Sequence, residues 1–325
     1  MLIPAESYEE KVSRAEPIVI GLVNNMPDTA LRSTERQFNA LLSAASHDRA
    51  IRLMHFSMPG LPRSETAQAH LDENYKDSRE LWENQLDGLI VTGTEPRTPN
   101  LKDEPYWETL AGLIDSVADH RISTVWSCLA AHAAVLQQRG VERQRMSSKL
   151  IGVFDCAKVE KHRIMVGVPA RWSVPHSRYN DLPEEALVAR GYRVLSRSAD
   201  AGADLFIKEG ESLDIFFQGH PEYRPDTLLG EYRRDVGRFL ASERADYPEL
   251  PRGYFDEDAV AALTAFRQQA LQHRDHSLLS GFPSVTVNKQ LSDAWHEPAV
   301  KIFTNWISYL AERKQCVEEL RPLAE

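Results

Sequence analysis

The most constraining feature of the sequence is an alternation in its first half, where short apolar runs rich in β-branched residues precede stretches with helical periodicity. This order predicts a parallel sheet, because parallel neighbours need a crossover connection that is usually a helix. We therefore predict an α/β protein with a mainly parallel sheet flanked by helices. The four strands predicted in this half are residues 17–23, 51–56, 87–93 and 122–127.

The second half departs from this alternation, and its short apolar segments predict added β-hairpin elements. Helical patterns end the chain, and the segment Thr34-Glu35-Arg36-Gln37 predicts an earlier helix start through its likeness to a capping box. We predict an N-terminal extension over 1–16, a single α/β domain over 17–312 and a C-terminal tail over 313–325. The hydrophilic segment 248–253 is the one candidate linker. Further predicted strands are residues 150–154, 192–195, 204–207 and 214–217, and further predicted helices are residues 225–240, 260–271 and 300–316.

The net charge and the cysteine content limit which binding partners and which cellular compartment we expect. The formal net charge of −10 disfavours nucleic acid and anionic membrane surfaces as general partners. The sequence shows no apolar run long enough for a membrane span and no signal-peptide core near Met1. Three cysteines without a CxxC pair fit a reducing compartment. We predict a cytoplasmic protein.

Cys128 is the candidate nucleophile, because it follows a predicted strand and precedes the helical residues 130–138. Backbone N–H groups at such a turn lower a thiol pKa and can hold an oxyanion. The alternative is a small buried core residue. Cys156 and Cys316 lack this setting and are interpreted as structural.

The segment from Gln218 to Tyr223 supplies a candidate base. Histidine ordinarily titrates near neutrality, which suits His220 to act as a base, and the carboxylate of Glu222 two residues on can orient its ring. A surface histidine is the alternative. No metal site is expected, since His273 and His276 have metal-like spacing but no further partners in a suggestive pattern.

Polar residues elsewhere are candidates for substrate binding. Residues 175–179, which include Ser177, concentrate polar side chains as a substrate loop or a capping turn would. Arg234 can clamp a carboxylate, although pairing with Glu231 or Asp235 on the same helix is the alternative. Lys149 is ambiguous by itself.

Taken in order, these segments resemble the homoserine O-succinyltransferase family, which includes homoserine O-acetyltransferases and has a fold similar to class I glutamine amidotransferases, a flavodoxin-like arrangement. The resemblance runs from about Ile18 to Tyr309. The matching motifs are Asn25-Met26-Pro27, Asp87-Gly88-Leu89-Ile90-Val91-Thr92-Gly93, Tyr106-Trp107, Ser123-Thr124 before Cys128, Lys149-Leu150, Pro175-His176-Ser177-Arg178-Tyr179, Gly219-His220-Pro221-Glu222-Tyr223 and Phe303-Thr304-Asn305-Trp306.

The resemblance implies a homoserine O-acyltransferase of methionine biosynthesis that works by a ping-pong mechanism. The catalytic residues would be Cys128 as acyl carrier, His220 as proton acceptor and Glu222 as its partner. The substrate-binding positions would be Lys149, Ser177 and Arg234. The implied substrates are an acyl-coenzyme A, as co-substrate rather than cofactor, and L-homoserine. The resemblance also implies a homodimer, and no cofactor is expected.

Several positions depart from the family pattern. Asp28-Thr29 replaces a usual lysine pair, which leaves a basic contact absent or passed to Arg32, and Leu129 and His132 replace the usual Trp and Gln. Arg97 falls on the position associated with acyl-donor choice, where acetyl users tend to have glutamate. An arginine there favours succinyl-coenzyme A over acetyl-coenzyme A.

Three other functions stay open at this point. The first is a homoserine or serine O-acetyltransferase that uses acetyl-coenzyme A. The second is a glutaminase of the glutamine amidotransferase type, although such enzymes normally have glycines beside the cysteine and this chain has Ser127 and Leu129. The third is a non-catalytic binding protein on the same fold.

Overall fold

The structure, a computed structural model, describes residues 16–287, 291 and 294–320. The predicted N-terminal extension therefore lies outside the described residues except for Glu16. The strands are β1 (Ile18–Val23), β2 (Ile51–Ser57), β3 (Lys76–Asp77), β4 (Gly88–Val91), β5 (Ser123–Ser127), β6 (Gln144–Lys158), β7 (Arg171–Asp181), β8 (Arg193–Ser198), β9 (Gly202–Glu209) and β10 (Leu213–Phe217). The α-helices are α1 (Asp28–Ala45), α2 (Glu65–Asn74), α3 (Trp107–Asp119), α4 (Leu129–Arg139), α5 (Glu184–Ala189), α6 (Thr227–Leu240), α7 (Glu257–Gln272) and α8 (His296–Leu320).

All ten strands form one sheet in the order β3-β2-β1-β4-β5-β10-β9-β8-β6-β7. The strands from β3 to β10 in this order pair in parallel, whereas the pairs β10-β9, β9-β8, β8-β6 and β6-β7 are antiparallel. The predicted α/β class, with a parallel sheet and hairpin elements in the second half, is confirmed. Strand β10 joins the two halves, because it is parallel to β5 and antiparallel to β9.

Helices cover both faces of the sheet and divide the core into two large clusters. Helices α3 and α4 pack on one face through residues such as Leu110, Ile114 and Val135. Helices α1 and α8 pack on the other face, where Phe38 and Trp306 are almost fully buried. Strands buried on both faces need apolar side chains in both directions, which explains the continuous apolar runs of β1 and β4. No helix among the described residues is both long and apolar enough to cross a membrane.

The predicted start of the first helix was wrong by six residues. Helix α1 begins at Asp28, after Pro27 in extended conformation, and Thr34 lies buried within the helix. The Asp28 carboxylate accepts a hydrogen bond from the backbone N–H of Ser64 at 2.7 Å. A negative charge in the first turn and a proline just before it favour a helix start here, so the capping-box likeness at residues 34–37 was coincidental. Gln37 instead donates to Thr227 at the start of α6.

Two segments predicted to be irregular belong to the sheet region. Residues 175–179 lie within β7 rather than in a loop, because β6 supplies a partner strand for their backbone groups. The predicted linker is also fixed to β6, since the N–H of Arg252 donates to the carbonyl of Ile151 at 3.0 Å. Helix α8 continues past residue 312, where the predicted tail would begin. The division of the chain into domains stays a prediction.

Candidate active site

Cys128 lies in a sharp turn between β5 and α4, as its position in the sequence predicts. It is the N-cap residue of α4 and has φ 52° and ψ −113°, a conformation that costs a non-glycine residue about 1–3 kcal/mol. Its N–H donates to the carbonyl of Phe217 at 2.8 Å, which fixes the turn to the end of β10. The turn leaves the side chain partly exposed.

The start of α4 provides backbone donors beside this thiol. The N–H of Leu129 belongs to the first turn, where helical N–H groups have no intrahelical acceptor. A Cβ atom at Gly93, just after β4, would lie 3.0 Å from the Leu129 nitrogen and 2.9 Å from its Cβ. The absence of a side chain at Gly93 therefore lets the end of β4 approach the turn of the nucleophile closely.

His220 and Glu222 follow β10 and form a buried pair next to Cys128. The Nδ1 atom of His220 lies 2.9 Å from Oε1 of Glu222, and its ring stacks on Tyr223 with centroids 4.1 Å apart. Its backbone N–H donates to Pro175 at 2.8 Å, which fixes the turn to β7. Burial alone would lower the pKa of His220, but the charges of Glu222 and Cys128 and the hydrogen bond to Glu222 raise it well above its usual value. The protonated imidazole is thus stabilised next to the sulfur.

One cavity is lined by all six predicted catalytic and substrate-binding residues, and we call it the central cavity. It lies at the carboxyl ends of β4 and β5, where parallel sheets usually hold ligands. The structure thus brings together residues that are far apart in the sequence. These lining residues are Cys128, Lys149, Ser177, His220, Glu222 and Arg234.

Glu231 is the central hydrogen-bond acceptor of one wall of the central cavity. Its carboxylate accepts hydrogen bonds from the hydroxyl groups of Ser177 and Tyr223, and Nζ of Lys149 lies 3.4 Å away. Burial would raise the pKa of Glu231, but the charges of Lys149 and Arg234 and these hydroxyl donors lower it below its usual value. Glu231 therefore presents a buried negative charge. The sequence indicated it only as a surface partner for Arg234.

Arg234 pairs with acidic neighbours on its own helix, as the alternative interpretation allowed. Its Nη2 lies 3.2 Å from Oδ1 of Asp235 and 4.0 Å from Oε2 of Glu231. Its side chain nevertheless stays 29% exposed and lines the central cavity. Because Lys149 also binds Asp235, at 2.8 Å, two cations share two carboxylates on this wall.

Arg97 lies outside the central cavity and lines a neighbouring one. The two cavities share Pro27 and Glu95 among their lining residues. The backbone N–H of Arg97 donates to the Glu104 carboxylate at 2.7 Å, which fixes the loop after β4. Glu95, rather than Arg97, lines the central cavity, and its carboxylate accepts a hydrogen bond from Arg238 at 2.9 Å. Sequence reasoning did not identify Glu95 because its side-chain direction depends on this loop.

His132 and Arg32, which also concern departures from the family pattern, have defined places. His132 is buried in α4, where its Nε2 lies 2.9 Å from Oε1 of Gln218, just before the turn with His220. Burial lowers the pKa of His132 to about 3, so the ring is neutral. Arg32 is exposed on α1.

Comparison with known proteins decides the family. The family model described as Homoserine O-succinyltransferase matches residues 3–316. The chain belongs to the homoserine O-succinyltransferase family. The homoserine O-succinyltransferase of Rhodopseudomonas palustris is 45% identical over 302 residues, which cover 93% of this chain and 91% of that protein. The homoserine O-succinyltransferase of Bradyrhizobium japonicum is 46% identical over 297 residues, or 91% and 90% of the two chains. The predicted class of enzyme, an acyltransferase, is confirmed.

Two solved structures outside the homoserine O-succinyltransferase family are also similar to this chain. A glutamine amidotransferase of Methylobacillus flagellatus is 14% identical with a TM-score of 0.48, and the match covers 90% of this chain and 94% of that one. A glutamine amidotransferase of Thermotoga maritima is 12% identical with a TM-score of 0.47, and the match covers 92% of this chain and all of that one.

Proposed function

We propose that the protein transfers a succinyl group from succinyl-coenzyme A to the hydroxyl of L-homoserine through a thioester on Cys128. The observation that supports this most directly is the pairing of His220 with Glu222 at 2.9 Å next to a thiol held at the start of α4. Family membership supports homoserine as the acceptor. It places the reaction in methionine biosynthesis.

The first half-reaction forms the acyl-enzyme. The Cys128 thiolate attacks the thioester carbonyl, and the N–H of Leu129 is placed to donate to the oxygen that becomes negative. Collapse of the tetrahedral species breaks the bond to coenzyme A, whose sulfur takes a proton from His220. The enzyme is left with an acylated Cys128 and a neutral His220.

The second half-reaction transfers the acyl group. His220 removes the proton of the acceptor hydroxyl as its oxygen attacks the Cys128 thioester, and the thiolate leaves. The ester product is released with Cys128 and protonated His220 restored. Glu222 holds the His220 ring and balances its charge in both steps.

The charged wall of the central cavity fits an amino-acid acceptor. An α-carboxylate can pair with Arg234 as its partner Asp235 shifts to Lys149, and an α-ammonium group can pair with Glu231. Glu231→Gln should therefore raise the KM for homoserine more than it changes thioester formation. Equal loss of both half-reactions would contradict this role of Glu231.

Intact mass spectrometry tests the covalent step. With succinyl-coenzyme A alone, the wild-type protein should gain one succinyl adduct, which homoserine then removes. Cys128→Ala should gain none, whereas the matched control Cys316→Ala should behave as wild type, since Cys316 is exposed on α8. An unmodified wild-type enzyme that still turns over would contradict the ping-pong mechanism. Ammonia release from glutamine would favour a glutaminase, and an unreactive Cys128 would favour a binding protein.

Donor choice is tested at Arg97. In this proposal the guanidinium group of Arg97 reaches from the neighbouring cavity and pairs with the free carboxylate of the succinyl group. Such a pair contributes about 1.5–3 kcal/mol, or roughly ten- to a hundred-fold in rate. Arg97→Glu should reduce transfer from succinyl-coenzyme A selectively, with acetyl-coenzyme A as the matched donor. An equal loss for both donors would instead indicate contact with the coenzyme. The homodimer stays a prediction.

A further inference from the structure

Three buried side chains with metal-binding donor atoms meet beneath the turn that holds His220. They are Cys156 on β6, His176 on β7 and Asp204 on β9, and all three are less than 2% exposed. One donor atom from each lies within 4.8 Å of the other two. Because each residue comes from a different strand, their spacing in the sequence shows no metal motif.

Polar atoms of His176 and Asp204 in this cluster lack hydrogen-bond partners in the described part of the chain. Both ring nitrogens of His176 and the Oδ1 atom of Asp204 are unpaired, and the nearest approach between them is 3.4 Å from Nε2 to Oδ1. A buried polar group without a partner costs about 1–3 kcal/mol. One ring nitrogen of His176 and Oδ1 of Asp204 can face the same point as the sulfur of Cys156, so these unpaired groups indicate a missing ligand rather than ordinary core packing.

The three donor atoms indicate which kind of metal ion the cluster would bind. Sulfur, imidazole nitrogen and carboxylate oxygen together suit Zn²⁺ and similar transition metals, whereas Mg²⁺ and Ca²⁺ prefer oxygen alone. The other oxygen of Asp204 accepts a hydrogen bond from Ser196 at 2.9 Å, which would orient the carboxylate toward an ion.

We propose that Cys156, His176 and Asp204 form a buried site for one Zn²⁺-class cation. Bond lengths of about 2.0–2.3 Å require the three donors to close in by roughly 1 Å on binding. Binding also displaces the Cys156 proton to solvent, because the thiolate is the ligand. A Cβ at Gly219 would lie 2.7 Å from Oδ1 of Asp204, so the ion would lie directly below the turn of His220. Its role is structural: it joins three strands under that turn.

Metal content provides the first test. The full-length protein, expressed with added zinc and dialysed, should contain about one zinc per chain by mass spectrometric metal analysis, because the three donors meet at one place. Cys156→Ala should lose most of it. Cys316→Ala should keep it as the matched control. Wild-type protein without zinc, or undiminished zinc in Cys156→Ala, would overturn the proposal.

A spectroscopic test remains informative even if a folding defect in a variant changes its zinc content. Wild-type protein refolded with Co²⁺ should show the ultraviolet charge-transfer band of a cobalt–thiolate bond. The band should persist in Cys128→Ala, which removes the thiol found among the described lining residues of the central cavity, and disappear in Cys156→Ala. The reverse pattern would assign the metal to the central cavity and reject this site. Neither readout depends on acyl transfer, so the proposed function can fail or succeed independently.

Discussion

Replacing Glu222 with Gln tests the catalytic pair with little change of shape. The carboxylate that contacts His220 at 2.9 Å is only 5% exposed, so water screens the interaction weakly. A buried, charge-assisted hydrogen bond contributes about 1.5–3 kcal/mol. If that stabilisation is lost while His220 holds its proton, kcat/KM should fall about ten- to a hundred-fold.

The pH dependence separates catalysis from packing. Removing the Glu222 charge should lower the pKa of His220, and the pH–rate profile should shift to lower pH with it. Thiol release from succinyl-coenzyme A, followed across pH, measures both effects. Glu185→Gln on exposed α5 is the matched control and should behave as wild type. A fall in activity with an unmoved profile and a lower Tm would refute the electrostatic argument.

The same pair predicts how stability varies with pH. The folded-state pKa of His220 lies above the value of about 6.5 for an unfolded histidine. Protonated His220 therefore contributes its full stabilisation below about pH 6.5, and this is lost as pH rises through its folded pKa. Urea unfolding of wild type and Glu222→Gln should differ most on the acid side of that range. A difference that grows with rising pH would reverse the assigned sign.

Two further substitutions test the framework around the site. Gly152 has φ +144°, and Gly152→Ala would place a Cβ 2.4 Å from the Arg252 carbonyl oxygen. Urea unfolding should therefore show a loss of at least about 1–3 kcal/mol of unfolding free energy. The control Gly210→Ala, where the added Cβ meets open space, should change stability little. Equal stability of the two variants would contradict this. Trp306→Phe removes the hydrogen bond of 3.0 Å that the indole N–H donates to Ser123. This substitution should lower the unfolding free energy by about 1–3 kcal/mol, and a negligible change would argue against that bond.

The sequence predicts best what local pattern determines. Cys128 could be placed at a turn because a β-branched run and a helix-forming run meet there, and each pattern extends over several residues. His220 could be placed at a strand end because glycine and proline flank it after an apolar run.

The parts that sequence reasoning missed depend on distant partners. Residues 175–179 have the composition of a loop, but pairing with β6 satisfies their backbone and turns Ser177 toward Glu231. From its helix alone, Glu231 is predicted to be a surface residue, and only the packing of β6 and β7 against this helix buries it. Cys156 was interpreted as a plain core residue because His176 and Asp204 lie 20 and 48 positions away in the sequence.

The position of β10 has a consequence for synthesis of the chain. The hydroxyl of Ser123 on β5 donates to the carbonyl of Leu213 on β10, 90 residues later. At about 5–20 residues per second, a ribosome takes roughly 5–20 s to cover that distance. During this interval β5 can pair with β4 but leaves the backbone N–H and C=O groups of its other edge unpaired, and such edges recruit foreign strands. The nucleophile therefore leaves the ribosome on an unprotected strand, and the newborn chain is most exposed to aggregation just before its catalytic centre is complete.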